Sequence, residues 1–173
     1  MRIFIVLLFS LALVGSQAQN IDTLNSKVQF EVENLGFNTV EGSFSGIQGW
    51  AYLNPDAKKK NILKVCLNAS SISTGIKMRD KNLRGEDFFE VETYPNICFI
   101  GTSYKFLGDN RWEVKGTLKI KDKEQEITVW IIQQNKALSC QFSIDRRYFG
   151  LGESYSNFTI GEEVVVKVRL QHH

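Results

Sequence analysis

The sequence is short of everything that catalysis draws on. Its only histidines, His172 and His173, are the last two of 173 residues, where chains fray. It contains no G-x-S-x-G elbow, no cysteine beside a histidine, no H-E-x-x-H and no glycine-rich phosphate loop. A nucleophile with its base, a zinc centre and a nucleotide cradle therefore all lack their signatures. The carboxylate pairs Glu162 with Glu163 and Glu86 with Asp87 are sequence neighbours that point apart or sit in solvent, not a matched acid and base. The chain reads as a protein that is not an enzyme, with no metal and no cofactor implied.

Cysteine and proline are scarce too. Cys66, Cys98 and Cys140 are too few for a disulfide framework, and their spacing fits no zinc pattern. Cys66 and Cys98 each fall between inward-looking apolar neighbours, while Cys140 shares a face with Leu138 and Phe142; if one pair closes, the expectation is Cys66 with Cys98. The two prolines, Pro55 and Pro95, fall in a turn and at a strand entry, where a missing donor costs little. Net charge is only +2, with Lys and Arg scattered instead of gathered into a stripe, which excludes nucleic acid as the expected partner. The run Lys58 to Lys60 reads as a solvated turn. No internal repeat and no linker rich in Pro, Gly or Ser divides the chain.

A long apolar run occurs only at the start, "MRIFIVLLFSLALVGSQAQN". Arg2, the run from Ile3 to Phe9 resuming as far as Val14, and the small residues Gly15, Ser16 and Ala18 have the order of a secretory signal peptide, with cleavage expected after Ala18. The run is too short for a stable bilayer span, and no cysteine stands at the cleavage site to carry a lipid. The expected organisation is a leader over 1–18 and one domain over 19–173, periplasmic or otherwise exported and soluble after cleavage.

What the chain has in quantity is alternation. In "SKVQFEVEN" Val28, Phe30 and Val32 share one face while Lys27, Gln29, Glu31 and Glu33 share the other, the period of a half-buried strand. The pattern returns at Trp50 and Tyr52, at Leu63, Val65 and Leu67, at Ile97 and Phe99, and from Trp112 to Ile120. It recurs over Ile127 to Ile131, Leu138 to Ile144 and Val164 to Leu170, which makes about eight strands. Hairpin connections such as "KFLGDNRW" and "KIKDKEQEI" make them antiparallel neighbours. Such a meander stacks as a sandwich or closes as a barrel. Gly42, Gly46, Gly49, Gly101 and Gly116 fall in or beside strands, where bends and bulges favour closure.

One segment breaks the pattern. From "SSISTGIKMRDKNLRGEDFFEVETYP" the chain leaves a strand at Ile72 and enters the next at Pro95, far more than a hairpin needs, and compact domains rarely carry such a loop without structure or function of its own. Met78 to Leu83 has helical propensity, Gly85 can stop that turn, and Glu86 or Asp87 can start another. Leu83, Phe88 and Phe89 then face the barrel, so the segment is predicted to be a short helical lid over one mouth.

These motifs carry a resemblance. "SKVQFEVENLGFNTVEGSFSGIQG", "NASSISTGIKMRDKNLRGEDFFEVETYPNICFIG", "VKGTLKIKDKEQEITV", and "DRRYFGLG" followed by "IGEEVVVKVRLQ" resemble, in order, the motifs of the YceI-like family of polyisoprenoid-binding proteins. The middle motif is the most specific. The family position before Leu83, often histidine, is Asn82 here, so no imidazole is available at the mouth. The resemblance implies an all-β, extended eight-stranded antiparallel barrel, lipocalin-like, exported and holding a long isoprenoid chain in its lumen.

On that reading Phe30, Phe44, Leu67, Leu83, Phe88, Phe89, Phe99, Trp112, Leu118 and Phe142 line the lumen and mouth. Arg79 and Asp80 form either a polar gate at the ligand's head group or an ion pair and turn cap that fixes the lid. The function so read is binding or shuttling of a polyprenyl lipid, quinone or similar amphiphile, with transient membrane contact and a homodimer left open. The alternative is that the inward rings simply fill the interior, leaving a ligandless structural barrel or one that binds a protein partner in envelope stress.

Overall fold

The period-2 rows build the wall directly. The computed structural model describes residues 19–56 and 60–171; the leader expected over 1–18, residues 57–59, and the two histidines lie outside them. The strands are β1 (Gln19–Asn20), β2 (Lys27–Asn34), β3 (Asn38–Phe44), β4 (Gln48–Tyr52), β5 (Ile62–Asn68), β6 (Asn96–Gly108), β7 (Arg111–Ile120), β8 (Lys123–Gln134), β9 (Ala137–Asp145) and β10 (Ile160–Gln171). They form one antiparallel sheet in the order β1-β4-β5-β6-β7-β8-β9-β10-β2-β3, curled into a lipocalin-type half-barrel.

The sequence reading found about eight strands, and ten form among the described residues. The additions are the two-residue β1 and β3. In β3 the inward row reads Val40, Gly42, Phe44, and a glycine in an inward position hides the alternation. That glycine has a job. Gly42 pairs directly with Phe30 of β2, and a Cβ at Gly42 would overlap the Phe30 ring. The ring therefore lies flat over its neighbour instead of projecting into the interior.

Two seams finish the curl. At one end, hereafter the floor, Ile21 N donates to Gly49 O (3.2 Å) and Asp22 N to Gln171 O (2.7 Å), so the chain crosses from β4 to β10. At the other, Ser43 and Ser73 exchange backbone bonds of 2.9 and 3.0 Å between β3 and the segment entering the lid. Where β6 bulges after Gly101, the Tyr104 hydroxyl accepts from Leu63 N and donates to Gly101 O, both at 2.9 Å. It thereby satisfies groups the ladder leaves unpaired.

The long connection is structured. A 3-10 turn (Ala69–Ser71) leads to α1 (Lys77–Arg84), which stops at Gly85. Past Gly85 the further turn expected from Glu86 or Asp87 is present: 86–93 runs as successive turns, tied by Glu90 N to Gly85 O and Val91 N to Arg84 O. Cys66 and Cys98 are directly opposed in the β5–β6 ladder, Cα atoms 4.1 Å apart, and are joined by a disulfide. They sit on the outer face, between the inward residues Val65, Leu67, Ile97 and Phe99.

Candidate functional site: an apolar cavity beneath a lid

The buried residues fall into two clusters. One fills the floor around Ile47, Trp112, Val114 and Ile131; the other gathers Phe88, Leu118, Ile120, Phe149 and Leu151 beneath the lid. Between them lies a cavity of about 190 Å³. Well-packed interiors hold few voids larger than a water, and engineered apolar cavities of roughly 150 Å³ stay dry and admit benzene, so this space is larger than an ordinary packing defect. Along β10 its wall runs from Val164 to Leu170, about 20 Å at the usual strand rise.

Phe30, Phe44, Leu67, Leu83, Phe88, Phe89, Phe99, Leu118 and Phe142 all stand on this lining. Trp112 does not. Its ring is fully buried in the floor, tilted by 56° against Phe106 with centroids 5.1 Å apart, and its Nε1 donates to Gln133 Oε1 at 2.9 Å. Trp112 shares the inward row of β7, but it lies at the end where the barrel is packed shut. Phe99 repeats the device seen at Phe30: it presses on Gly116, where a Cβ would meet its ring at 2.5 Å. Large rings laid over glycines keep a phenylalanine-rich barrel hollow.

The lid is held at several points. Phe89 meets Phe44 edge to face with centroids 5.6 Å apart, and Phe88 packs on Tyr155 at 5.5 Å. Gly152 N donates to Asp87 O at 2.6 Å, and the Lys121 ammonium lies 3.6 Å from Glu90. Arg84 donates to the carbonyls of Ser70 and Ile72, both at 2.7 Å. Arg79 and Asp80 stand off the cavity lining and converge on Thr74. Asp80 accepts from Thr74 N (2.8 Å) and Oγ1 (2.5 Å), and Arg79 donates to Thr74 Oγ1 (2.8 Å) and O (3.0 Å). The Thr74 hydroxyl, ahead of burial, sets the balance at Asp80, which is held below its ordinary carboxylate value.

Sequence reasoning missed Arg146, which lines the cavity and is only 2% exposed. All five of its N–H donors are spent on carbonyls. Nε bonds Gly161 O, Nη1 bonds Leu151 O and Gly152 O, and Nη2 bonds Tyr155 O and Ile160 O, at 2.8 to 3.2 Å. One guanidinium thus gathers the whole 151–161 loop against the lid. Burial pulls its pKa down, with Arg147 adding to the effect. The signal was visible in "DRRYFGLG", where a basic pair interrupts the end of an apolar row. Cys140, the free thiol, also faces the lumen, and burial pushes its pKa up to about 12. Of the 28 lining residues the other 26 are hydrocarbon, so the cavity offers a ligand dispersion and dryness and, apart from the weak Cys140 S–H, no free hydrogen-bond donor.

A family model described as the YceI-like domain matches residues 19–172. The chain belongs to the YceI-like family. It is 29% identical over 127 residues to a UPF0312 protein of Ectopseudomonas mendocina (strain ymp), covering 68% of this chain and 65% of that protein. It is 31% identical over 105 residues to a UPF0312 protein of Yersinia pestis (strain Pestoides F), covering 59% and 53%. The chain thus spans between about half and two thirds of these curated relatives. Among solved YceI-like folds, Burkholderia cenocepacia BcnA superposes with a TM-score of 0.79 at 25% identity, covering 87% of this chain and 98% of that one. A domain from Saccharophagus degradans, described as a polyisoprenoid binding domain implicated in plant cell wall breakdown, superposes at 0.71 with 17% identity, covering 90% and 98%. The solved neighbours share the fold of this chain. No helix among the described residues is long and apolar enough to cross a membrane.

Proposed function

We propose that this chain is an exported carrier, without catalytic activity, that holds one long-chain isoprenoid, or an amphiphile with a similar tail, in its lumen. The observation that carries the reading is the cavity itself: about 190 Å³, walled by hydrocarbon, with β10 lining it from Val164 to Leu170 over about 20 Å of strand. Burying each methylene there is worth roughly 0.8 kcal/mol against water, whereas a polar head group would find every Arg146 donor already taken. The tail therefore lies inside and the head stays at the mouth. A bilayer is as apolar as the lumen, so transfer between them is nearly balanced, which suits exchange better than storage.

The test is mass spectrometry of organic extracts from the chain purified after export. A stoichiometric long-chain lipid supports the carrier; repeated absence, together with failure of the emptied protein to take up an added polyprenol, overturns it in favour of a ligandless barrel.

A further inference from the structure

β3 is an edge strand, and its free edge is flanked by unpartnered apolar side chains at both ends. At the tip of the β2–β3 hairpin, Phe37 is 78% exposed and Phe158 66% exposed. They sit together, since Leu35 N bonds Thr159 O and the Phe158 ring lies 3.1 Å from where a Cβ of Gly36 would stand. Near the other end, six residues and about 20 Å along the strand, Ser43 bonds Ser73, and the chain then rises through exposed Ile76 into α1. The outer face of α1 carries Met78, 77% exposed, between Lys77 and Lys81. Among the described residues neither lysine forms an ion pair. Between these two patches the outer edge of β3 from Asn38 to Gly42 has no ladder partner.

We infer that this side of the barrel docks on an anionic bilayer surface, with Phe37, Phe158 and Met78 entering the interface and Lys77 and Lys81 meeting lipid phosphates. The inference rests on the carrier reading, and a physical requirement links the two. A tail losing roughly 0.8 kcal/mol per methylene cannot cross water, so the mouth must open against the membrane. The seam between β3 and the lid is the place where the wall opens most easily. It is fastened at one end by the Ser43–Ser73 pair and the two bonds between Ser71 and Ser45, and the ring contact that completes it, Phe44 with Phe89, lines the cavity. Aromatic side chains at the β2–β3 tip and basic ones on α1, flanking such a seam, match the chemistry of a headgroup layer.

The experiment compares sedimentation of the purified chain with vesicles of phosphatidylcholine alone and with phosphatidylglycerol added, for wild type, for Phe37→Asp/Met78→Asp and for Lys77→Glu/Lys81→Glu. Wild type is expected to partition onto the anionic vesicles about tenfold more strongly than either variant, while all three retain equal amounts of an added polyprenol in solution. Equal partitioning of wild type and variants overturns the docking surface while leaving the carrier intact. So does a wild-type dimer in solution that the Phe37→Asp/Met78→Asp variant breaks, because a second copy would then cover this edge. Loss of polyprenol retention in wild type overturns the carrier reading instead, and vesicle binding remains readable on the empty protein.

Discussion

Phe44 of β3 and Phe89 of the lid meet edge to face, ring centroids 5.6 Å apart, and both stand on the cavity wall. This contact therefore completes the barrel seam and also shapes the lumen. Phe89→Ala is expected to cost about 2 kcal/mol, below a full core truncation because the ring is only partly buried. It should also speed cleavage at Gly85 by limited proteolysis. Added polyprenol should slow that cleavage in wild type, as ligand-linked protection requires; a lid equally protected with and without lipid would be a fixed plug.

The Phe30 ring occupies the space a side chain at Gly42 would need. Gly42→Val should push the ring into the lumen, costing about 1 to 3 kcal/mol by overpacking and lowering lipid uptake more than it lowers secretion. Denaturant titration with a lipid-uptake assay checks both. Unchanged uptake would show that the ring's resting place does not set the lumen's width.

The Asp80 carboxylate, held below its ordinary value of 3.8 chiefly by the Thr74 hydroxyl, makes the lid latch sensitive to acid. Because the folded value is depressed, its stabilisation is complete above the ordinary value and disappears as pH falls through the lower folded one. Protection of the Thr74 and α1 amides, taken from the exchange rate relative to the intrinsic rate at each pH, should therefore fall on acidification in wild type. In Asp80→Asn it should be lower at neutral pH and lack this acid step.

The Cys66–Cys98 bond closes a loop of sequence separation 32, for which chain entropy gives about 3 to 4 kcal/mol. Cys66→Ser/Cys98→Ser should lose stability on that order. Cys140, with its thiol raised to about 12, should resist alkylation in the native protein and react, as a single free thiol, on denaturation. Two or more free thiols in the oxidised, denatured chain would contradict the pairing.

The wall was legible in the sequence wherever inward rows were uninterrupted, as in β2 and β10, or long enough to carry one glycine, as in β7 with Gly116. The lid was legible as the one long break in alternation. β3 was not, because Gly42 removes the marker that periodicity relies on. Trp112 was misplaced because alternation reports which face a residue takes, not how far along the barrel it lies, and only the fold shows that the floor end is packed. Arg146 escaped because its five acceptors are backbone carbonyls of a loop, partners that leave no pattern of side chains to read.

The most direct measurement is native mass spectrometry of the chain purified after export, run beside Phe142→Asp, which places a carboxylate on the lumen wall. The expected result is one long-chain lipid adduct on wild type and none on the variant, with both proteins secreted. Wild type at its bare polypeptide mass, unchanged after incubation with polyprenol, would contradict a hollow barrel that carries a lipid.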